Sequence, residues 1–124
     1  MRTGDSVAFV ALRVRVCRLA DVADVKGDDM RGFRVDGVTW PVIVARLDGE
    51  LIAFPGVCPH DDVSLVSYGV IEPSEDGSGG RDLRCRVHGY RFDLATGRCD
   101  HAPGLHLRRY RVSIIDDELW VDLL

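Results

Sequence analysis

Alternating apolar and polar residues near the N-terminus predict a β-strand with one buried face. In the segment 9–16, Leu12, Val14 and Val16 alternate with two arginines, so the apolar side chains would face a core and the arginines would face water. The acidic residues 19–30 that follow are rich in turn formers and predict at most a short helical turn. The pattern in this region therefore favours a strand over a helix.

Three further apolar runs predict a meander of neighbouring strands. The runs cover residues 31–35, 40–47 and 50–54. The dipeptides Asp36-Gly37 and Asp48-Gly49 separate them, and both predict tight hairpin turns because glycine accepts the positive φ angle that such turns need. The pattern thus indicates antiparallel pairing along this part of the chain.

The same alternation returns near the C-terminus, where Tyr110, Val112 and Ile114 alternate with polar residues. A turn at Asp116-Asp117 then leads into a second apolar run, residues 119–124. Segments rich in β-structure at both ends, with no repeat of the solenoid type between them, predict an antiparallel all-β domain.

A different kind of segment, residues 56–106, lies between these two ends. It contains three of the four cysteines and all four histidines. Within it, residues 72–82 are so polar and glycine-rich that they predict a mobile surface loop. We therefore expect an all-β domain that carries an inserted, ligand-bearing subdomain.

Composition narrows the class of protein. With 124 residues, of which 46% are apolar and 29% charged, the chain matches a single globular domain. The net charge of −4 argues against a nucleic-acid partner, because phosphate binding relies on an excess of basic residues. No apolar stretch reaches the roughly 20 residues of a membrane-spanning helix, so we expect no association with a membrane.

The N-terminal region does not resemble a signal peptide. Its apolar run 7–16 contains Arg13 and Arg15, and Asp5 lies where such peptides carry positive charge. We therefore expect a cytoplasmic protein in a reducing compartment. In that setting the four cysteines are expected to be free thiols or metal ligands rather than disulfides.

Two short clusters each combine a thiol with an imidazole. The first is Cys58-Pro59-His60, and the second runs from Cys85 to His88. Zinc sites usually pair cysteine with cysteine and histidine with histidine along the sequence, whereas each cluster here mixes the two ligand types. The mixing favours a binuclear centre in which both cysteines bind one metal and both histidines the other. Structural zinc is the alternative.

These clusters, with the continuation HGYRFDLATGRC over residues 88–99, resemble the Rieske [2Fe–2S] signature. The resemblance extends over about residues 12–121 and implies a single Rieske domain, an antiparallel β-sandwich or barrel with a small inserted cluster-binding subdomain. The implied boundaries are 1–124 for the domain, about 7–55 and 107–124 for its β-rich base, and about 56–106 for the cluster-binding subdomain.

The resemblance also implies a ligand set and one [2Fe–2S] cluster per chain. Cys58 and Cys85 would hold an inner iron, and His60 and His88 would hold an outer iron near the surface. Because two neutral imidazoles replace two thiolates, the reduced cluster carries less negative charge than an all-cysteine cluster. Rieske potentials accordingly lie at about −150 to +300 mV.

The residues around the expected cluster favour the low end of that range. Rieske proteins of quinol-oxidising complexes carry an additional disulfide and hydroxyl donors to the sulfurs. The corresponding positions in this chain hold Val63, Val87, Tyr90 and Phe92. With fewer hydrogen-bond donors the reduced cluster is stabilised less, so its reduction potential is lower. The negative charges at residues 61–62 lower the potential as well.

By the same resemblance, we expect a one-electron carrier and not an enzyme. It would take electrons from a flavoprotein NAD(P)H reductase and, as a monomer, pass them to a terminal oxygenase of the aromatic-ring-hydroxylating type. The alternative function is the small Rieske-like subunit of an assimilatory nitrite reductase. A zinc-stabilised module without a redox function is the third hypothesis.

Two cysteines and two histidines remain without a role. Cys17 and Cys99 are expected to be buried as small apolar side chains. His101 and His106 have a spacing that also occurs in mononuclear iron sites, but the Pro103-Gly104 dipeptide between them would break the helix that such a site needs. We therefore expect surface histidines and no second iron.

Overall fold

Nine strands form three antiparallel sheets within residues 12–123, the part of the chain that this computed structural model describes. The strands are β1 (Arg13–Arg18), β2 (Met30–Phe33), β3 (Val42–Leu47), β4 (Glu50–Pro55), β5 (Gly69–Pro73), β6 (Arg81–Cys85), β7 (Arg91–Asp93), β8 (Arg111–Ile115) and β9 (Glu118–Asp122). Their order is β1-β9-β8 in the first sheet, β2-β3-β4 in the second and β5-β6-β7 in the third. The predicted all-β antiparallel class is confirmed.

Two short helices connect strands. A single 3₁₀ turn covers Leu19–Val22, and the α-helix α1 covers Leu65–Tyr68. The Ser64 hydroxyl caps α1 by accepting a hydrogen bond from the Ser67 N–H at 3.4 Å. No helix in residues 12–123 has the length and apolar character needed to cross a membrane.

β1 shows the predicted alternation together with one irregularity. Val14 is half-buried and Val16 is buried, whereas Arg15 between them is exposed. The register with β9 shifts between Arg15 and Cys17, so Cys17 is buried directly after Val16. Residues 9–11 of the predicted strand lie outside the described part of the chain.

Two of the three predicted turns are tight hairpin turns between paired strands. Asp48-Gly49 (φ 52° and 83°) joins β3 to β4, and Asp116-Asp117 (φ 50° and 62°) joins β8 to β9. Two consecutive positive φ angles are typical of the type I′ hairpin turn. The prediction of a tight hairpin at Asp36-Gly37 is wrong, because β2 and β3 are joined by the longer connection 34–41. Gly37 (φ 80°) only turns the chain within it.

The prediction of a mobile loop over residues 72–82 is wrong at both ends. Strands β5 and β6 extend into this segment, so only residues 74–80 connect them. Asp82 is buried, and it accepts a hydrogen bond from Ser74 Oγ at 2.8 Å and faces the Arg91 guanidinium at 3.5 Å. The polar composition concealed the strands because these charges are paired within the sheet instead of being solvated.

β3 contributes to both hydrophobic clusters of the core. Successive residues of a strand point to opposite faces, so Ile43 belongs to the first cluster and Val44 to the second. The first cluster also contains Leu83 of β6 and Phe92 of β7, and the second contains Leu119 of β9. The second sheet therefore packs against the other two, one on each face, which explains why β3 is a continuous apolar run.

Gly97 generates a testable prediction, because its backbone and its surroundings both exclude a side chain. Its φ is +81°, and a Cβ would overlap the carbonyl oxygen of Leu107 and lie 2.7 Å from His106 Nε2. Gly97→Ala is expected to destabilise the fold by more than the about 1–2 kcal/mol that a left-handed alanine costs by itself. Thermal unfolding followed by circular dichroism measures the loss.

Gly77→Ala is the matched control for this variant. Gly77 also has a positive φ (73°), but a Cβ added there meets nothing within 4 Å. Its replacement should therefore cost only the backbone strain. Equal losses of stability in the two variants would contradict the argument from the Leu107 contact.

Candidate metal centre

The first ligand loop follows β4 and is closed by its own backbone. The Cys58 N–H donates to the Val63 carbonyl at 2.9 Å, and the Asp61 N–H donates to the Cys58 carbonyl at 3.2 Å. Pro59 between the two candidate ligands has a fixed φ and no N–H to satisfy. These constraints hold Cys58 and His60 on one small loop.

The second ligand loop is the hairpin between β6 and β7. The Cys85 N–H donates to the Tyr90 carbonyl at 2.9 Å, and the Gly89 N–H donates to the Cys85 carbonyl at 2.8 Å. Gly89 has a φ of 78°, a left-handed conformation that glycine adopts without strain. The result is a tight loop with Cys85 buried at its base and His88 exposed near its tip.

Helix α1 links the two loops. At its start, the Leu65 N–H donates to the carbonyl of Gly56, just before the first loop, at 2.9 Å. At its end, the Tyr68 carbonyl accepts from the Arg86 N–H of the second loop at 2.8 Å. The Arg86 guanidinium adds a 2.7 Å hydrogen bond to the Ser67 carbonyl. Both loops are therefore anchored to the same few residues.

The four predicted ligands come together as two separate pairs. The thiols of Cys58 and Cys85 are buried in the same hydrophobic cluster, and the Cys85 thiol is close enough to help raise the pKa of Cys58. The rings of His60 and His88 lie edge to face, with centroids 4.7 Å apart and an interplanar angle of 76°. In the part of the chain that the structure describes, no three His, Cys, Asp or Glu side chains are grouped around one metal position. The arrangement is thus two thiols and two imidazoles, as a binuclear centre requires.

The electrostatics of this site favour a bound cation. Burial raises the pKa of the Cys58 thiol, the backbone N–H of His60 lowers it, and the neighbouring Cys85 thiol raises it further. His60 Nδ1 is buried and has no hydrogen-bond partner among the described residues, which is costly for a polar atom. A metal bound here would stabilise the thiolates and would accept the lone pair of that nitrogen. The residues present therefore fit an iron–sulfur cluster.

The remaining cysteines and histidines are not members of these pairs. Cys17 is buried in the second hydrophobic cluster and Cys99 in the first, as expected. His101 and His106 are exposed, also as expected. The sequence reasoning missed the contact between Tyr90 and His60, whose ring centroids are 4.1 Å apart. The only signal in the sequence was an aromatic residue two positions after the second cluster.

Comparison with known proteins identifies the class to which this centre belongs. The model of the Rieske [2Fe–2S] domain family matches residues 14–111. The chain belongs to this family, and its cofactor is a [2Fe–2S] cluster. The alternative of a zinc module is therefore not supported.

Individual members of this family resemble the chain over most of its length. The chain is 31% identical over 112 residues to the ferredoxin component of the p-cumate 2,3-dioxygenase system of Pseudomonas putida, covering 89% of this chain and 85% of that relative. The solved structure of a Sphingomonas yanoikuyae B1 ferredoxin is 25% identical, with a TM-score of 0.66 over 90% of this chain and 99% of the other.

A third similarity concerns the fold alone. It is to the solved structure of a Mycobacterium tuberculosis chain described as an NADH-dependent nitrite reductase small subunit. The two chains are 19% identical, with a TM-score of 0.65 over 88% of this chain and 92% of that one. The nitrite reductase alternative thus has the shared architecture in its favour and nothing more specific.

Cys17 yields a prediction on alkaline stability. Burial, and to a lesser extent the nearby Asp21 carboxylate, raises the pKa of this thiol from 9.0 to about 11. Between these values the folded protein holds a proton that the unfolded chain loses. The stability contributed by the protonated thiol is therefore fully present below pH 9 and is lost as the pH rises towards 11.

The free energy of unfolding should consequently fall more steeply across this pH range in the wild type than in a Cys17→Ala variant. Urea titrations of both proteins between pH 9 and 11 measure the difference. Parallel slopes would show that the Cys17 thiol is not protected in the folded protein.

Proposed function

We propose that the protein is a Rieske-type ferredoxin, a one-electron carrier that receives electrons from a flavoprotein NAD(P)H reductase. It delivers them to a terminal oxygenase of the aromatic-ring-hydroxylating type and is not itself an enzyme. The p-cumate relative, a ferredoxin component that aligns over most of both chains, supports this role. We further propose that the protein acts as a monomer in the cytoplasm.

Within this proposal, Cys58 and Cys85 hold the inner iron, and His60 and His88 hold the outer iron. The observation that carries the assignment is the separation of a buried thiol pair from an outer imidazole pair. One cluster per chain then uses all four ligands. Residues 56–106, with both ligand loops and the third sheet, form the cluster-binding subdomain on the β-rich base.

When bound, the cluster supplies a redox couple that accepts and releases one electron. The residues packed around it determine its polarity and its hydrogen-bond donors. Phe92 is fully buried in the same hydrophobic cluster as both cysteines and has no hydroxyl to donate. Valines occupy positions 63 and 87, so no disulfide links the loops there. A potential at the low end of the Rieske range stays our prediction.

Exposed apolar side chains lie on α1 and on the second ligand loop. Val66 and Tyr68 of α1 are 50% and 47% exposed, and Val87 beside His88 is 41% exposed. The Arg86 N–H of the second loop donates to the Tyr68 carbonyl, so α1 and this loop are held together. We assign the surface that carries these side chains and His88 to docking of the terminal oxygenase. Electron-transfer complexes are small and short-lived, typically below about 1,200 Å², and the buried centres of such interfaces are more apolar than the rest of the protein surface.

The ligand assignment has a direct test with internal controls. Cys58→Ala and Cys85→Ala should each abolish the visible absorption and the EPR signal of the reduced protein, because each removes a thiolate from the inner iron. Cys17→Ala and Cys99→Ala remove equally buried thiols that are not proposed ligands and should retain both signals. Analysis of iron and acid-labile sulfide gives the number of each per chain. A cluster that survives in Cys58→Ala would contradict the assignment.

Docking at this surface requires that electrons leave the protein beside His88, and two variants with the same change in charge test this requirement. Val87→Arg and Ile114→Arg each place a cation at an exposed apolar position, the first beside His88 and the second on β8 of the first sheet. The assay uses NADH, a flavoprotein reductase and cytochrome c, a basic acceptor. Val87→Arg should slow carrier-dependent reduction several-fold through local repulsion, and Ile114→Arg should change it little.

Equal slowing by the two variants would assign the effect to net charge and contradict docking beside His88. A wild-type protein that carries the cluster but transfers no electrons in this assay would contradict the carrier function itself.

A further inference from the structure

The two imidazoles of the metal centre differ in exposure. His88 is exposed near the tip of the second loop, whereas His60 is half-buried and its Nδ1 atom is fully buried. Besides His88, the ring of Tyr90 packs on His60, tilted by 46° with its centroid 4.1 Å from the His60 centroid. Tyr90 therefore contributes to the lower exposure of His60.

Tyr90 is itself held by several contacts. Its carbonyl accepts the hydrogen bond from the Cys85 N–H that closes the second loop. Its side chain packs against the first hydrophobic cluster, which contains both candidate thiolates. His101 also meets its ring nearly at right angles (72°), with the centroids 6.1 Å apart, within the range of edge-to-face aromatic pairs. Tyr90 therefore offers His60 a fixed surface.

His60 depends on such a surface because its buried nitrogen makes no hydrogen bond to the described residues. The direction of the Nδ1 lone pair is set by rotation of the ring about the Cβ–Cγ bond, a torsion that is broad for histidine. A flat ring at 4.1 Å restricts that rotation more than a flexible aliphatic side chain would. Contacts of this kind around a ligand often decide how well it binds a metal.

We infer that Tyr90 is a positioning residue: its ring fixes the plane of His60 at the outer iron and shields it, and leaves His88 as the exposed ligand. The inference rests on the proposed function, since it takes His60 to be an iron ligand. The aromatic ring, and not the phenol hydroxyl, performs this role, because the observed contact is between ring faces and edges.

Three variants separate the contributions of the Tyr90 ring, the Tyr90 hydroxyl and the neighbouring His101. Tyr90→Leu keeps apolar bulk but removes the flat ring, Tyr90→Phe keeps the ring and removes the hydroxyl, and His101→Ala removes only the outer neighbour. In the reconstituted protein, Tyr90→Leu should lose iron to a chelator about 10-fold faster than the wild type, at the low end of what contacts around metal ligands contribute. Its reduced EPR spectrum should be broadened or shifted. The Phe variant should match the wild type in both measurements, and His101→Ala, which removes one of the contacts that hold the Tyr90 ring, should lie between the wild type and Tyr90→Leu.

Wild-type spectra and iron-loss rates in Tyr90→Leu would overturn the inference. Tyr90→Met provides a second flexible side chain if the Leu variant folds poorly by circular dichroism. A Phe variant as perturbed as the Leu variant would assign the effect to the hydroxyl and would also overturn it. If the reconstituted wild type shows no such EPR signal at all, the proposed function fails instead, so the two failures are distinguishable.

Discussion

Two thiols buried side by side are the constraint on which the rest of this structure depends. Removal from water disfavours the charged form of Cys58, and the adjacent Cys85 thiol disfavours it further. Two thiolates persist in such a place only when a cation compensates them. Under the proposed assignment, the imidazoles of His60 and His88 would bind the outer iron without adding charge. Negative charge would then be kept in the interior, and electrons would be exchanged near the exposed His88.

The β-rich framework makes this separation possible. Because β3 is buried on both faces, one side of the second sheet packs with the first sheet and the other side packs with the third. Cys58 and Cys85 both belong to the hydrophobic cluster on the latter side, so each loop is attached to the core through its cysteine. Helix α1 then holds the two loops to each other by backbone hydrogen bonds. The ligand pairs are consequently placed by parts of the chain that are distant in sequence.

Local features could be predicted from the sequence, and features set by distant partners could not. The turn at Asp48-Gly49 follows from neighbouring residues and is confirmed, and the ligand assignment, which also rests on short local clusters, stays a prediction. The tight turn at Asp36-Gly37 is absent because the pairing of β2 with β3, and not the dipeptide, decides where these strands end. The strand ends near Asp82 were missed because its partners, such as Arg91, are brought to it only by the sheet. The Tyr90–His60 contact joins two loops and has no sequence periodicity.

The most direct test is a Mössbauer spectrum of the oxidised protein reconstituted with ⁵⁷Fe. If the thiols bind one iron and the imidazoles the other, the two irons have different ligands and must give two distinct quadrupole doublets of equal area. A single doublet, or two doublets of unequal area in fully loaded protein, would show that the ligands are not divided in this way and would contradict the account.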